Sequence, residues 1–179
     1  MSKITVKELE APTGFDLKIA AGETLDLKSQ GSVIMPTGSI VSYKIATINP
    51  SGAISTSSTT FVEADSGLRI AHAMANSGNK LIFNLHTIDN YIQSGKSAWF
   101  AVTSLADVTT NLESKSIMYV KSGNGVEPFS VFGMQEHSPS STSSVTYCVS
   151  FKNGGSGTAY LNNSPSTGQV KFSLMEVSA

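Results

Sequence analysis

Charge is what this sequence has least of. Lysine, arginine, aspartate and glutamate make up 14% of its 179 residues, where an ordinary soluble domain carries about 25%. The net charge is −1 and basic residues form no run, which excludes a cationic stripe of the kind that neutralises nucleic-acid phosphates. There is one cysteine, Cys148, so an intrachain disulfide is excluded and the redox compartment stays open. No stretch approaches the roughly 18 apolar residues of a membrane-spanning helix. The opening Met1-Ser-Lys-Ile-Thr-Val-Lys-Glu lacks the apolar centre of a signal peptide, so synthesis in a cytosol is expected, with release inside an assembled particle as an open route. Helical periodicity is missing as well: Ile70–Ala75 and Asp107–Glu113 could supply a turn or two at most.

Serine, threonine, asparagine and glycine fill the place of charge, giving the uncharged polar surface typical of extracellular or virion β-proteins. From Ile40 onward short alternating segments follow one another. They include Val41–Ile48, Ser58–Ala64, Leu68/Ile70, Leu81–Leu85, Trp99–Thr103, Ile117–Val120, Phe129–Met134, Val145–Lys152, Thr158–Leu161 and Val170–Val177. Turn chemistry separates them, as in Asn49-Pro-Ser-Gly, Asp65-Ser-Gly, Asn76-Ser-Gly-Asn and Ser122-Gly-Asn-Gly. About nine or ten strands at this spacing predict an all-β antiparallel sandwich or jelly roll. In the segment around Cys148, Val145, Tyr147, Val149 and Phe151 alternate with Thr146, Cys148, Ser150 and Lys152, the period of a half-buried strand. Gly154, Gly155 and Gly157 then predict a hairpin loop leading into Thr158–Leu161.

Residues 1–37 read differently. Ile4, Val6, Leu9, Phe15, Leu17, Ile19, Leu25 and Leu27 fall into tiny alternations, and glycines recur at 14, 22, 31 and 38. Each unit brings two or three apolar side chains. Burying them yields roughly 1.5–3 kcal/mol apiece, too little to order about eight residues at about 1–2 kcal/mol each. Such units need partners. The expectation is a stem or anchor over 1–37, wound with identical chains or docked on a larger assembly, followed by a head over 38–179. A disordered tail and an extra packed sheet are the alternatives.

"APTGFDLKIAAGETLDLKS", "MPTGSIVSYK", "STSSTTFVEADSGLRIAHAMANSGNKLIF" and the closing "HSPSSTSSVTYCVSFKNGGSGTAYLNNS" with "FSLMEVSA" together resemble structural fibre and decoration proteins of marine tailed bacteriophages. The resemblance covers most of the chain. It implies a homotrimeric virion-surface protein with a jelly-roll head of the C1q/tumour-necrosis-factor type. Its other partners would be capsid or tail proteins, reached through residues 1–37, and a glycan or protein of the host surface. The short stem departs from the long-fibre pattern and fits a stubby fibre, knob or capsid decoration.

Chemistry finds little support. His72, His86 and His137 show no metal-ligand spacing, leaving only a site shared across a three-fold axis as a metal reading. No Gly-x-Ser-x-Gly elbow occurs. Cys148, between strand hydroxyls, reads as a packing residue rather than an activated thiol. Glu63, Asp65, Asp89, Asp107, Glu113, Glu127 and Glu136 sit mainly in turn contexts, not as paired acids for glycoside cleavage. The glycine segments lie between strands, where no helix N-terminus can help cradle a phosphate. No enzyme activity, metal or cofactor is expected. Trp99 and Phe100 are adjacent in a strand, so one enters the core and the other needs cover from a loop or a neighbouring subunit. Tyr91, Trp99, Asn124 and Glu127 are the candidate recognition residues, near loops at one end of the head. The rival functions are a carbohydrate-binding β-sandwich and, behind it, a small hydrolase.

Overall fold

The computed structural model describes residues 36–92, 96–113, 117–121, 127–161 and 168–179, all within the compact unit Met35–Ala179. The expected stem, with its eight apolar candidates, lies outside the described residues except for Pro36 and Thr37.

Twelve strands lie among the described residues: β1 (Ile40–Ile48), β2 (Ile54–Thr56), β3 (Val62–Glu63), β4 (Ile70–His72), β5 (Lys80–Ile92), β6 (Ser97–Ser104), β7 (Asp107–Asn111), β8 (Met118–Lys121), β9 (Glu127–His137), β10 (Val145–Asn153), β11 (Ala159–Leu161) and β12 (Val170–Val177). Among the described residues there is no α-helix, only a 3-10 turn at Ser66–Leu68. The two segments read as possible helical turns are corrected. Ile70–His72 and Asp107–Asn111 are strands, because each finds a partner in register, on β10 and β6 respectively.

All pairings are antiparallel and form two sheets. In the front sheet β1, β12, β5 and β9 lie side by side. β12 pairs the first half of β5, and β11, carrying β2, pairs its last residues on the same side. In the back sheet β10 has β6 on one flank and β3 and β4 on the other, while β7 and β8 share the far edge of β6.

Alternation drives one face of each sheet inward. Leu81, Phe83 and Leu85 of β5 and Val170, Phe172 and Leu174 of β12 meet Ala98, Phe100 and Val102 of β6 and Tyr147, Val149 and Phe151 of β10. The Phe83 and Tyr147 rings, 5.0 Å apart, join the sheets, and Phe100 stacks on Phe151 at 6.2 Å. This is an all-β antiparallel sandwich.

Consecutive strands rarely pair. Only β6 and β7 form a hairpin among the described strands. The glycine segment after Cys148 is therefore corrected: it is a crossover from β10 in the back sheet to β11 in the front sheet, not a hairpin. Its local chemistry is still turn chemistry. Asn153 Nδ2 donates to the carbonyls of Gly155 and Gly157 at 3.0 and 2.7 Å, and Gly157 has φ 114°, a conformation that favours glycine.

Candidate functional site

The front sheet carries the most unusual surface. On β1, Ala46 and Ile48 pack against the core, which turns Tyr43, Ile45 and Thr47 outward. Register then lays out three rows across the sheet. Tyr43, Met175, Ile82 and Glu136 form the first, and Ile45, Ser173, Asn84 and Met134 the second. Thr47, Lys171, His86 and Phe132 form the third. Phe132 is 71% exposed, Met134 67%, Tyr43 56% and Ile45 52%. Large apolar side chains thus stand in water at both edges of one continuous face. Polar side chains lie among them: Ser173 and Asn84 occupy the middle of the second row, Lys80 closes on Glu136 at 2.6 Å, and Lys171 and His86 are register partners.

The back sheet does the opposite. The middle of its outward face is built of small residues, Ala101, Thr103, Cys148 and Ser150, and these are almost wholly buried. The edge strands β3 and β7 approach each other, so the sheet curls over this patch. β10 is consequently buried on both faces near its middle, rather than half-buried as its period predicts. Cys148 points away from the core yet never reaches solvent. Burial pushes its thiol up, against the hydrogen bonds of Thr103 and Ser150. Thr103 Oγ1 lies 3.2 Å from the sulfur and 2.7 Å from Ser150 Oγ. A protonated, covered thiol is a poor nucleophile.

The recognition candidates converge only in part. β5 ends at Ile92 opposite Glu127 and Ala159, and Tyr91 pairs Pro128 and Tyr160, so Tyr91 and Glu127 share one end of the front sheet. Trp99 sits at the same end of the molecule, on the outward side of the back sheet. Its cover comes from its own chain: Lys152 Nζ stands 5.5 Å from the indole centroid and 4.6 Å from that of Phe61. Gly154 packs so closely that an added Cβ would fall 3.0 Å from the indole nitrogen. Phe100 enters the core. Asn124 lies outside the described residues.

The histidines diverge in role. His72 is buried on β4, its Nε2 2.8 Å from Glu176 Oε2. The other oxygen of Glu176 accepts from the Ala75 amide at 2.8 Å and Asn79 Nδ2 at 2.6 Å. Burial pushes this carboxyl up, but the hydrogen bonds from Asn79, Ala75 and His72 outweigh it and hold it below the ordinary range. Two residues on, Ser178 exchanges backbone hydrogen bonds with Gly38 and Ser39, and its hydroxyl donates to the Pro36 carbonyl. Glu176 thus locks the strand end that holds the start of the head, an arrangement the sequence analysis did not find. His137 Nδ1 lies 2.7 Å from Glu113 Oε1, not against its neighbour Glu136. His86 is exposed, edge-on to the Phe132 ring.

Other acids make local bonds. Glu63 grips Arg69 through both oxygens, Asp65 accepts from the Gly67 amide, and Asp107 accepts from Thr109. Among the described residues no three His, Cys, Asp or Glu side chains gather as metal ligands, and no helix is long and apolar enough to cross a membrane. No protein-family model matches the chain, and no curated protein matches it.

Proposed function

We propose that the protein is a structural component of a tailed-bacteriophage virion: a short surface fibre, knob or capsid decoration that works by assembly and contact rather than turnover. Its head is a jelly roll that assembles as a homotrimer, and residues 1–37 anchor it to capsid or tail. The observation that carries the reading is the outward face of the front sheet, with Tyr43, Ile45, Met134 and Phe132 each more than half exposed. Exposed apolar patches of this kind mark association surfaces in soluble proteins. Strand order supports the jelly roll. Counting end-to-end strands together, β1-β12-β5-β9 faces β3/β4-β10-β6-β7/β8, eight positions linked mostly by crossovers, as in two Greek keys. The virion setting and host contact come from the sequence resemblance; the loops at the end that carries Tyr91 and Glu127 are where that contact is placed. Three such ends on one particle would act together by effective concentration.

The test is the mass of the full chain in solution across a range of concentrations. Three copies per particle is the expected result. A monomer at every concentration overturns the reading, and labelling of the assembled virion then locates the protein on head or tail.

A further inference from the structure

We propose that Trp99 and Lys152, with the loop that follows β10, form a binding site for an anionic sugar, carboxylated or sulfated. This deepens the host-contact reading above, on which it rests for its setting, by naming the ligand class. Lys152 and Trp99 are register partners on β10 and β6, on the outward side of the back sheet, and both are partly exposed. Tyr119 of β8 is the next register position of the same row. The Lys152 ammonium is held over two rings, 4.6 Å from the Phe61 centroid and 5.5 Å from that of Trp99. Rings position a cation without neutralising it. Among the described residues Lys152 closes on no carboxylate. Glu63, opposite Ser150 on the same face, is already taken through both oxygens by Arg69.

The adjoining loop is fixed against the indole. The Gly154 amide donates to the Ser97 carbonyl at 2.8 Å. A Cβ at Gly154 would fall 1.9 Å from Ser97 Oγ and 3.0 Å from the indole nitrogen, so only glycine lets the loop lie this close. Lys96 Nζ donates to Ser156 Oγ at 2.7 Å, which ties the loop to the start of β6 and brings a second cation with no ion pair among the described residues. A partly open indole suits the C–H-lined face of a sugar ring, while hydroxyls and backbone at its rim suit the sugar's own hydroxyls. Lys152 and Lys96 add what a neutral sugar would leave unanswered, a place for an anion. Two cations are too few for a nucleic-acid backbone, whose binding takes many phosphate contacts.

Trp99 is the only tryptophan in the chain, so its fluorescence reads the site directly. The full chain is titrated with oligogalacturonate, which carries carboxylates, and with a carrageenan oligomer, which carries sulfates. Neutral maltooligosaccharide and polyglutamate, which has charge but no sugar ring, are the comparisons. A saturable change with either anionic sugar, and none with the comparisons, is the expected result. Lys152→Gln should raise the half-saturation concentration about tenfold or more, as loss of a charged hydrogen bond does, with far-ultraviolet circular dichroism unchanged. No change with either anionic sugar overturns the proposal, and so does an equal response to maltooligosaccharide or to polyglutamate. Unaltered binding in Lys152→Gln overturns it as well. Each of these leaves the assembly reading standing, because particle mass is measured without any sugar.

Discussion

The two outer faces of the sandwich solve the same problem in opposite ways. The back sheet places Ala101, Thr103, Cys148 and Ser150 outward, small enough for its own edge strands to close over them. The front sheet places Tyr43, Ile45, Phe132 and Met134 outward and leaves them open. Small outward side chains let a sheet close over itself, whereas large apolar ones left in water are a candidate contact area. On β1 the contrast is sharpest, since Ala46 is turned to the core while Tyr43 and Ile45 are turned to water.

The interior that both faces share should be the costliest thing to disturb. Glu176→Ala strands His72, the Ala75 amide and Asn79 without their acceptor, and is expected to lower folding stability by about 3–5 kcal/mol in urea denaturation. A loss under about 1 kcal/mol would mean the network is not structural. Next comes the open face. Phe132→Asp should weaken association by about 2–4 kcal/mol, as loss of an interface anchor does. Below the assembly concentration its urea midpoint should match that of the natural chain. A large fall in that midpoint would show that Phe132 serves the fold instead.

Cys148→Leu is the mirror experiment. Overpacking the closed face should cost about 1–3 kcal/mol of folding stability with no change in particle mass; a changed mass would make the back sheet an interface too. The smallest lever is acid acting on the interior. Because the folded Glu176 carboxyl is held below its ordinary value, its contribution is fully present above the unfolded value near 4.5. It is lost as pH falls through the folded value. The urea midpoint should drop as pH falls below about 4.5, and the drop should shrink in Glu176→Gln.

Much of this was legible in the residues. Period-two alternation located β10 and β12 to within a residue or so; in the structure Glu176 continues the inward series Val170, Phe172, Leu174, which the sequence reading did not single out. What it could not show was why a carboxylate is tolerated there, since its partner His72 lies 104 residues earlier. Asp107–Asn111 escaped recognition because five residues carry too little pattern without β6 beside them. Phe100 and Trp99 were correctly split between faces. Which face was core, and that Lys152 and Gly154 cover the indole, followed only from packing.

The sequence by itself determined the class of structure. Few charges, many hydroxyls, alternation of period two and glycine-marked turns leave an antiparallel β-fold as the way to bury these side chains and satisfy their backbones. The tertiary structure decided partners and sides. Turn chemistry after Cys148 specifies that the chain reverses but not which strand it meets, so the expected hairpin became a crossover. In the same way, alternation says that β1 and β9 have two faces, but only packing against the opposite sheet decides which of them is left in water.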